Sequence, residues 1–106
     1  MTAEQKATIQ KAWEKFNQDR KKSDDIYAKG DTFCAVGRNH YTDGLRSEGR
    51  RVFAKGNELQ IESNRLYTEA QKALEDTIIS EVGVTTPVPI KWDFPNIIID
   101  GETFKG

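Results

Sequence analysis

The chain has 106 residues, 31% charged and 36% hydrophobic, with a net charge of −1. That length holds one small domain, and this polarity suits helices with a single apolar stripe. Residues 1–56 carry 12 Lys and Arg against 8 Asp and Glu, and residues 57–106 carry 4 against 9, so the charge is dipolar and wholesale binding to a phosphate backbone is not favoured.

No apolar run nears the roughly 20 residues that a membrane span needs. The first six residues, Met1-Thr2-Ala3-Glu4-Gln5-Lys6, lack the charged-then-apolar layout of a secretory signal. The one cysteine, Cys34, leaves no internal disulfide framework. Together these features favour a cytoplasmic location.

Thr2-Ala3-Glu4-Gln5 reads as a capping box, so a helix follows. Ile9, Ala12, Trp13 and Phe16 share one face at helical spacing. The face turns polar at Asp19 and Arg20, apolar residues return at Ile26 and Tyr27, and Gly30 is a natural stop. The first helix is therefore expected over about 3–29. Residues 30–42, with Gly30, Gly37 and a central Phe33-Cys34-Ala35-Val36, are expected to form an ordered loop with a buried middle. About a dozen residues is long for a connection between packed helices, which marks it as a candidate functional loop.

Thr42 or Asp43 then caps a second helix over about 43–82, roughly 60 Å long at 1.5 Å per residue. Leu45, Val52, Leu59, Leu66 and Ala73 recur every seven residues, as do Gly49, Gly56, Ser63, Ala70 and Thr77. Interleaved at spacings of three and four, the two series make a heptad pattern with small residues at one position and mostly larger ones at the other. Phe53, Tyr67 and Leu74 widen one flank, while Glu48, Lys55, Glu62, Glu69 and Asp76 keep the opposite flank charged. Each mid-helix glycine costs about 1 kcal/mol relative to alanine, so Gly49 and Gly56 imply a partner backbone in close approach. A break of the helix at one glycine is the alternative.

After Gly83 the chain changes character. Val84-Thr85-Thr86-Pro87-Val88-Pro89 is expected to be extended and ends the helix. Pro95-Asn96 and Asp100-Gly101 are turn signals, and either a short hairpin at Asp100-Gly101 or an extended arm packed on the helices or another subunit fits them equally. Trp92, Phe94, Ile97, Ile98, Ile99 and Phe104 are large apolar groups that need a cover. A two-helix body offers them little surface, so residues 84–106 read as a partner-binding arm, with packing onto the same chain as the alternative.

Three further groups bear on function. Arg38, His40, Arg46, Arg50 and Arg51 cluster around the expected start of the second helix, where free amides and added arginines suit an anion, a nucleotide or nucleic acid. Pairing with Asp24, Asp25, Asp31 or Glu48 would make the same arginines a solvated tip. Cys34, His40 and Asp43 are too few for a structural zinc site and lack an orienting third group for a nucleophile, so Cys34 reads as a small buried residue. Trp13, Phe16, Tyr27, Phe53 and Tyr67 read as core, with bulky groups of the first helix facing the small series of the second.

The expected architecture is mainly α: an antiparallel helical hairpin over 1–83 followed by an extended or β-hairpin segment over 84–106. The packing seam is Leu45, Gly49, Val52, Gly56, Leu59, Ser63, Leu66 and Ala70, completed by the first helix or by a second copy in a homo-oligomeric coiled coil. The expected function is non-enzymatic: an adaptor, assembly factor or inhibitor that binds another protein, without cofactor or metal. The competing reading is an anion, nucleotide or nucleic-acid module at the basic cluster.

Overall fold

The computed structural model describes residues 1–83 and 90–106. Helix α1 (Ala3–Thr42) begins at the expected capping box. The Thr2 amide donates to Gln5 Oε1 at 2.8 Å, and the Gln5 amide donates to Thr2 Oγ1 at 3.1 Å. The Gln5 side chain also donates from Nε2 to the Glu81 carbonyl at 2.8 Å, which satisfies an acceptor in the last turn of helix α2 (Arg46–Val82). The two helices form the hairpin, and strands β1 (Ile90–Asp93), β2 (Asn96–Ile99) and β3 (Glu102–Phe104) follow as an antiparallel sheet in that order.

The expected loop over 30–42 is helix instead, so α1 runs 13 residues past the expected stop at 29. Neither Gly30 nor Gly37 is a terminator; both are packing positions. A Cβ added at Gly30 would lie 2.8 Å from the Gly56 carbonyl oxygen, and one at Gly37 would lie 2.8 Å from the Gly49 carbonyl oxygen. The real stop is Gly44, at φ 86°. There the Leu45 amide donates to the His40 carbonyl at 2.8 Å and the Gly44 amide to the Tyr41 carbonyl at 3.2 Å. This is a Schellman turn with glycine in its left-handed position. It takes up Asp43, Gly44 and Leu45, so α2 starts at Arg46 rather than near 43. At its other end α2 stops at Val82 before Gly83, whose φ is 67°. The segment expected to be extended over 84–89 lies outside the described residues.

The chain divides into two compact units, residues 1–19 with 69–106, and residues 20–68. In the first unit, Ile9, Trp13 and Phe16 of α1 and Ala70, Leu74 and Ile78 of α2 form one core with Ile97, Ile99 and Phe104 of the sheet. Trp13 stacks on Phe16 with ring centroids 5.4 Å apart, and Trp92 meets Trp13 edge-on at 5.9 Å. The register pairs Trp92 with Ile97 and Ile97 with Phe104, which puts all three on the sheet face toward the helices. Asp100 (φ 51°) and Gly101 (φ 77°) turn β2 into β3, which decides for the hairpin over an extended arm. Lys6 pairs with Glu102 at 3.2 Å, and Gln10 Nε2 donates to the Lys105 carbonyl at 2.7 Å.

Residues 90–106 thus pack onto the same chain, the alternative to a partner-binding arm: Ile97, Ile99 and Phe104 are buried. Burial stabilises each such side chain by about 1.5–3 kcal/mol. The reason is that the first turns of α1 and the last turns of α2 together offer an apolar surface wide enough for one sheet face. Trp92 and Phe94 stay exposed, and Ile98 is half-buried on the outer face.

Candidate functional site

The unit of residues 20–68 is built on the small residues. Facing pairs run Ser23 to Ser63, Gly30 to Gly56 and Gly37 to Gly49, each seven residues further along one helix and seven back along the other. Small residues meet small residues here, whereas bulky groups of the first helix were expected opposite the small series. The backbones come so near that only glycine fits. A Cβ at Gly56 would lie 2.6 Å from the Gly30 carbonyl oxygen and 2.5 Å from Cys34 Sγ. At Ser23 and Ser63 each hydroxyl donates to the other residue's carbonyl, at 2.8 and 2.7 Å, so two buried hydroxyls are satisfied by the opposite backbone. Gly49, Gly56 and Ser63 are covered by α1 of the same chain, so the seam needs no second copy to complete it.

Close backbones leave no room for large side chains between the helices. Among the apolar side chains of 20–68, Cys34 alone is buried. The larger ones lie on the flanks. Leu45, expected within the seam, is 52% exposed, and Val52, Leu59 and Leu66 are half-buried beside it. Phe33, Val36 and Tyr27 are exposed, as are Tyr41 and Tyr67, and Ile61 reaches 68%. Of the aromatic residues expected in the core, only Trp13 and Phe16 are buried; Tyr27 and Tyr67 are exposed and Phe53 is half-buried.

The basic cluster separates once it is placed on helices. Arg38, His40 and Tyr41 sit in the last turns of α1, not ahead of α2. Arg38 and Arg50 line a groove of about 530 Å³ with Tyr41 and Phe53. Gly37 and Gly49, where the two backbones approach closely, also line it. The Arg38 guanidinium carbon lies 5.8 Å from the Phe53 ring centroid, and that of Arg46 lies 5.9 Å from the Tyr41 centroid. These are cation–π distances. Arg51 turns away and pairs with Glu48 at 2.5 Å; the hydrogen bond and charge of Arg51 hold the Glu48 carboxyl below its ordinary value of 4.5. Arg65 does the same for Glu62. Asp31 accepts from Gln60 Nε2 at 2.8 Å rather than from an arginine. Of the five cluster residues Arg38 and Arg50 line the groove and Arg46 reaches its Tyr41, while His40 and Arg51 do neither.

Cys34 is buried beside Gly56, with Sγ 3.9 Å from the Phe53 carbonyl and from Asn57 Oδ1. Among the described residues, no three His, Cys, Asp or Glu side chains gather as a metal-holding group. No described helix is long and apolar enough to cross a membrane. Comparison with family models, with curated proteins and with solved structures gives no match.

Proposed function

We propose that the chain is a non-enzymatic binding protein whose unit of residues 20–68 docks on another protein. One observation carries this reading: that unit buries a single apolar side chain, Cys34, while its large ones stand on the flanks. A helix pair closed by glycines gains little from its own apolar groups. Covering Phe33, Tyr41, Leu45, Ile61 and Tyr67 on association would supply the missing burial. An adaptor, assembly factor or inhibitor would work this way, by occupying a surface. The reading belongs in a reducing compartment such as the cytoplasm, since the lone cysteine is packed and unpaired. The docking surface lies on the helical flanks and not on the C-terminal sheet, because Ile97, Ile99 and Phe104 are used in the core. Self-association, the homo-oligomeric form of this reading, would use the same flanks.

A photo-crosslinking amino acid placed at Phe33, Ile61 or Tyr67 of the full chain tests this in lysate of the source cells. The expected result is discrete heavier adducts at these positions and none at Lys11, an exposed position of the other unit. Equal smears at all four positions, or no adduct at any, would remove the reading.

A further inference from the structure

We propose that the groove between Arg38 and Arg50 receives an acidic segment of a partner protein, which inserts one large apolar side chain between Tyr41 and Phe53. The inference rests on the protein-docking reading above and names the chemistry of one part of that surface.

The groove has two properties that together select its occupant. Its lining is largely apolar: Tyr41, Phe53 and Ala54 supply carbon, and Gly37 and Gly49 contribute backbone alone. Its rim is cationic and uncompensated. The ion pairs among the described residues involve Lys6, Lys15, Arg51 and Arg65, so Arg38, Arg46 and Arg50 have no carboxylate of their own. An arginine retains its charge at any physiological pH and offers a planar fork to a carboxylate. Two of the three are already held against ring faces, Arg38 on Phe53 and Arg46 on Tyr41. Held this way, a guanidinium loses less freedom when a carboxylate arrives.

The same stacking argues against nucleic acid. A base stacks on an open ring face, and here an arginine already takes one face of each ring. A phosphate backbone also needs a track of cations, whereas residues 57–106 carry 9 acidic against 4 basic residues. Carboxylates on either side of an apolar side chain match both the rim and the lining.

The test displays random twelve-residue peptides against the full chain and against its Arg38→Gln/Arg50→Gln variant. Enriched sequences are then titrated by fluorescence anisotropy, with a twelve-nucleotide oligo(dT) in parallel. The expected consensus is a large apolar residue flanked by Asp or Glu. Affinity should fall at least ten-fold in the double variant, at unchanged helical circular dichroism, and stay unchanged in Arg51→Gln. Peptides without acidic residues, or peptides whose binding survives the double variant but is lost in Leu59→Glu, would overturn the groove assignment while leaving the docking reading in place. Arginine-dependent binding of oligo(dT) tighter than any peptide would overturn it in favour of nucleic acid. Concentration-dependent self-association lost in the double variant would overturn it in favour of a second copy. Absence of any enriched peptide would also overturn it, and the crosslinking result then decides the broader reading separately.

Discussion

Replacing Gly56 with alanine sets two effects of opposite sign against each other. In an isolated helix the change stabilises by about 1 kcal/mol. In this chain the new Cβ falls 2.6 Å from the Gly30 carbonyl oxygen, which is 0.8 Å short of the 3.4 Å where ordinary contact starts (3.4 − 2.6). That oxygen is backbone, so no side chain can swing aside; the helices must part. A gap of about 0.5–1 Å forfeits a quarter to a half of the dispersion well for each contact it opens. The Ser23 and Ser63 hydroxyls, one heptad away at 2.8 and 2.7 Å from their acceptors, would stretch toward the limit of hydrogen bonding. Overpacking of this kind costs about 1–3 kcal/mol, which outweighs the helix-propensity gain. Urea unfolding followed by circular dichroism at 222 nm should show Gly56→Ala less stable than the parent. Both tryptophans lie in the unit of residues 1–19 and 69–106, so their fluorescence transition should move less. A variant as stable as the parent, or more so, would refute the close-approach argument.

Ser63→Ala should destabilise by about 1 kcal/mol in the same assay, because the Ser23 carbonyl loses its donor while the Ser23 hydroxyl keeps the Ser63 carbonyl. Ile97→Ala opens a cavity in the shared core and should cost about 2–5 kcal/mol, with loss of near-ultraviolet dichroism from Trp13 and Trp92; a change below 1 kcal/mol would show the sheet to be weakly docked. Gln5→Ala removes both the capping box and the bond to the Glu81 carbonyl, and a drop of about 1 kcal/mol or more is expected in urea. The lowered pKa values of Glu48 and Glu62 add stability that is present above their ordinary value of 4.5 and lost as pH falls through the folded values. Both groups are exposed, so urea midpoints should stay flat from pH 7 to 5 and decline only slightly below 4.5.

Local signals carry much of the fold. The Thr2 and Gln5 pair, the small heptad series at Gly49, Gly56 and Ser63, the stop at Gly83 and the turn at Asp100-Gly101 are all short-range chemistry, and each is where the residues place it. The first helix is harder to read because glycine has two meanings. In α2, Gly49 and Gly56 sit in an unbroken apolar register, which signals packing. In α1 the register fades through Asp19 to Asp25, so Gly30 looks like an end. Yet Ile9, Phe16, Ser23, Gly30 and Gly37 recur every seven residues, in the same large-to-small order as the opposite helix run backwards. That matched pair of series is the signal for one continuous partner helix.

The site is less legible because proximity in sequence is not proximity on a helix. Arg50 and Arg51 are neighbours, but about 100° of rotation sends one to the groove and the other to Glu48. The groove is lined from both helices, by residues 37–42 of one and 49–57 of the other, a meeting that sequence order does not display. The C-terminal segment misleads for a related reason. Its isoleucines need a cover, and only the tertiary arrangement reveals that Ile9, Trp13, Leu74 and Ile78 form one.

The central claim is that the small-residue seam closes within one chain, with the large side chains on its outer flanks. Cysteines at Ser23 and Ser63, in a Cys34→Ser background, test it most directly, since the two native hydroxyl oxygens are 2.8 Å apart. Mild oxidation should give a disulfide inside the monomer, seen on a non-reducing gel as a faster-migrating single chain with unchanged helicity. Disulfide-linked dimers in place of that species would contradict the account, because they would put a second copy in the seam.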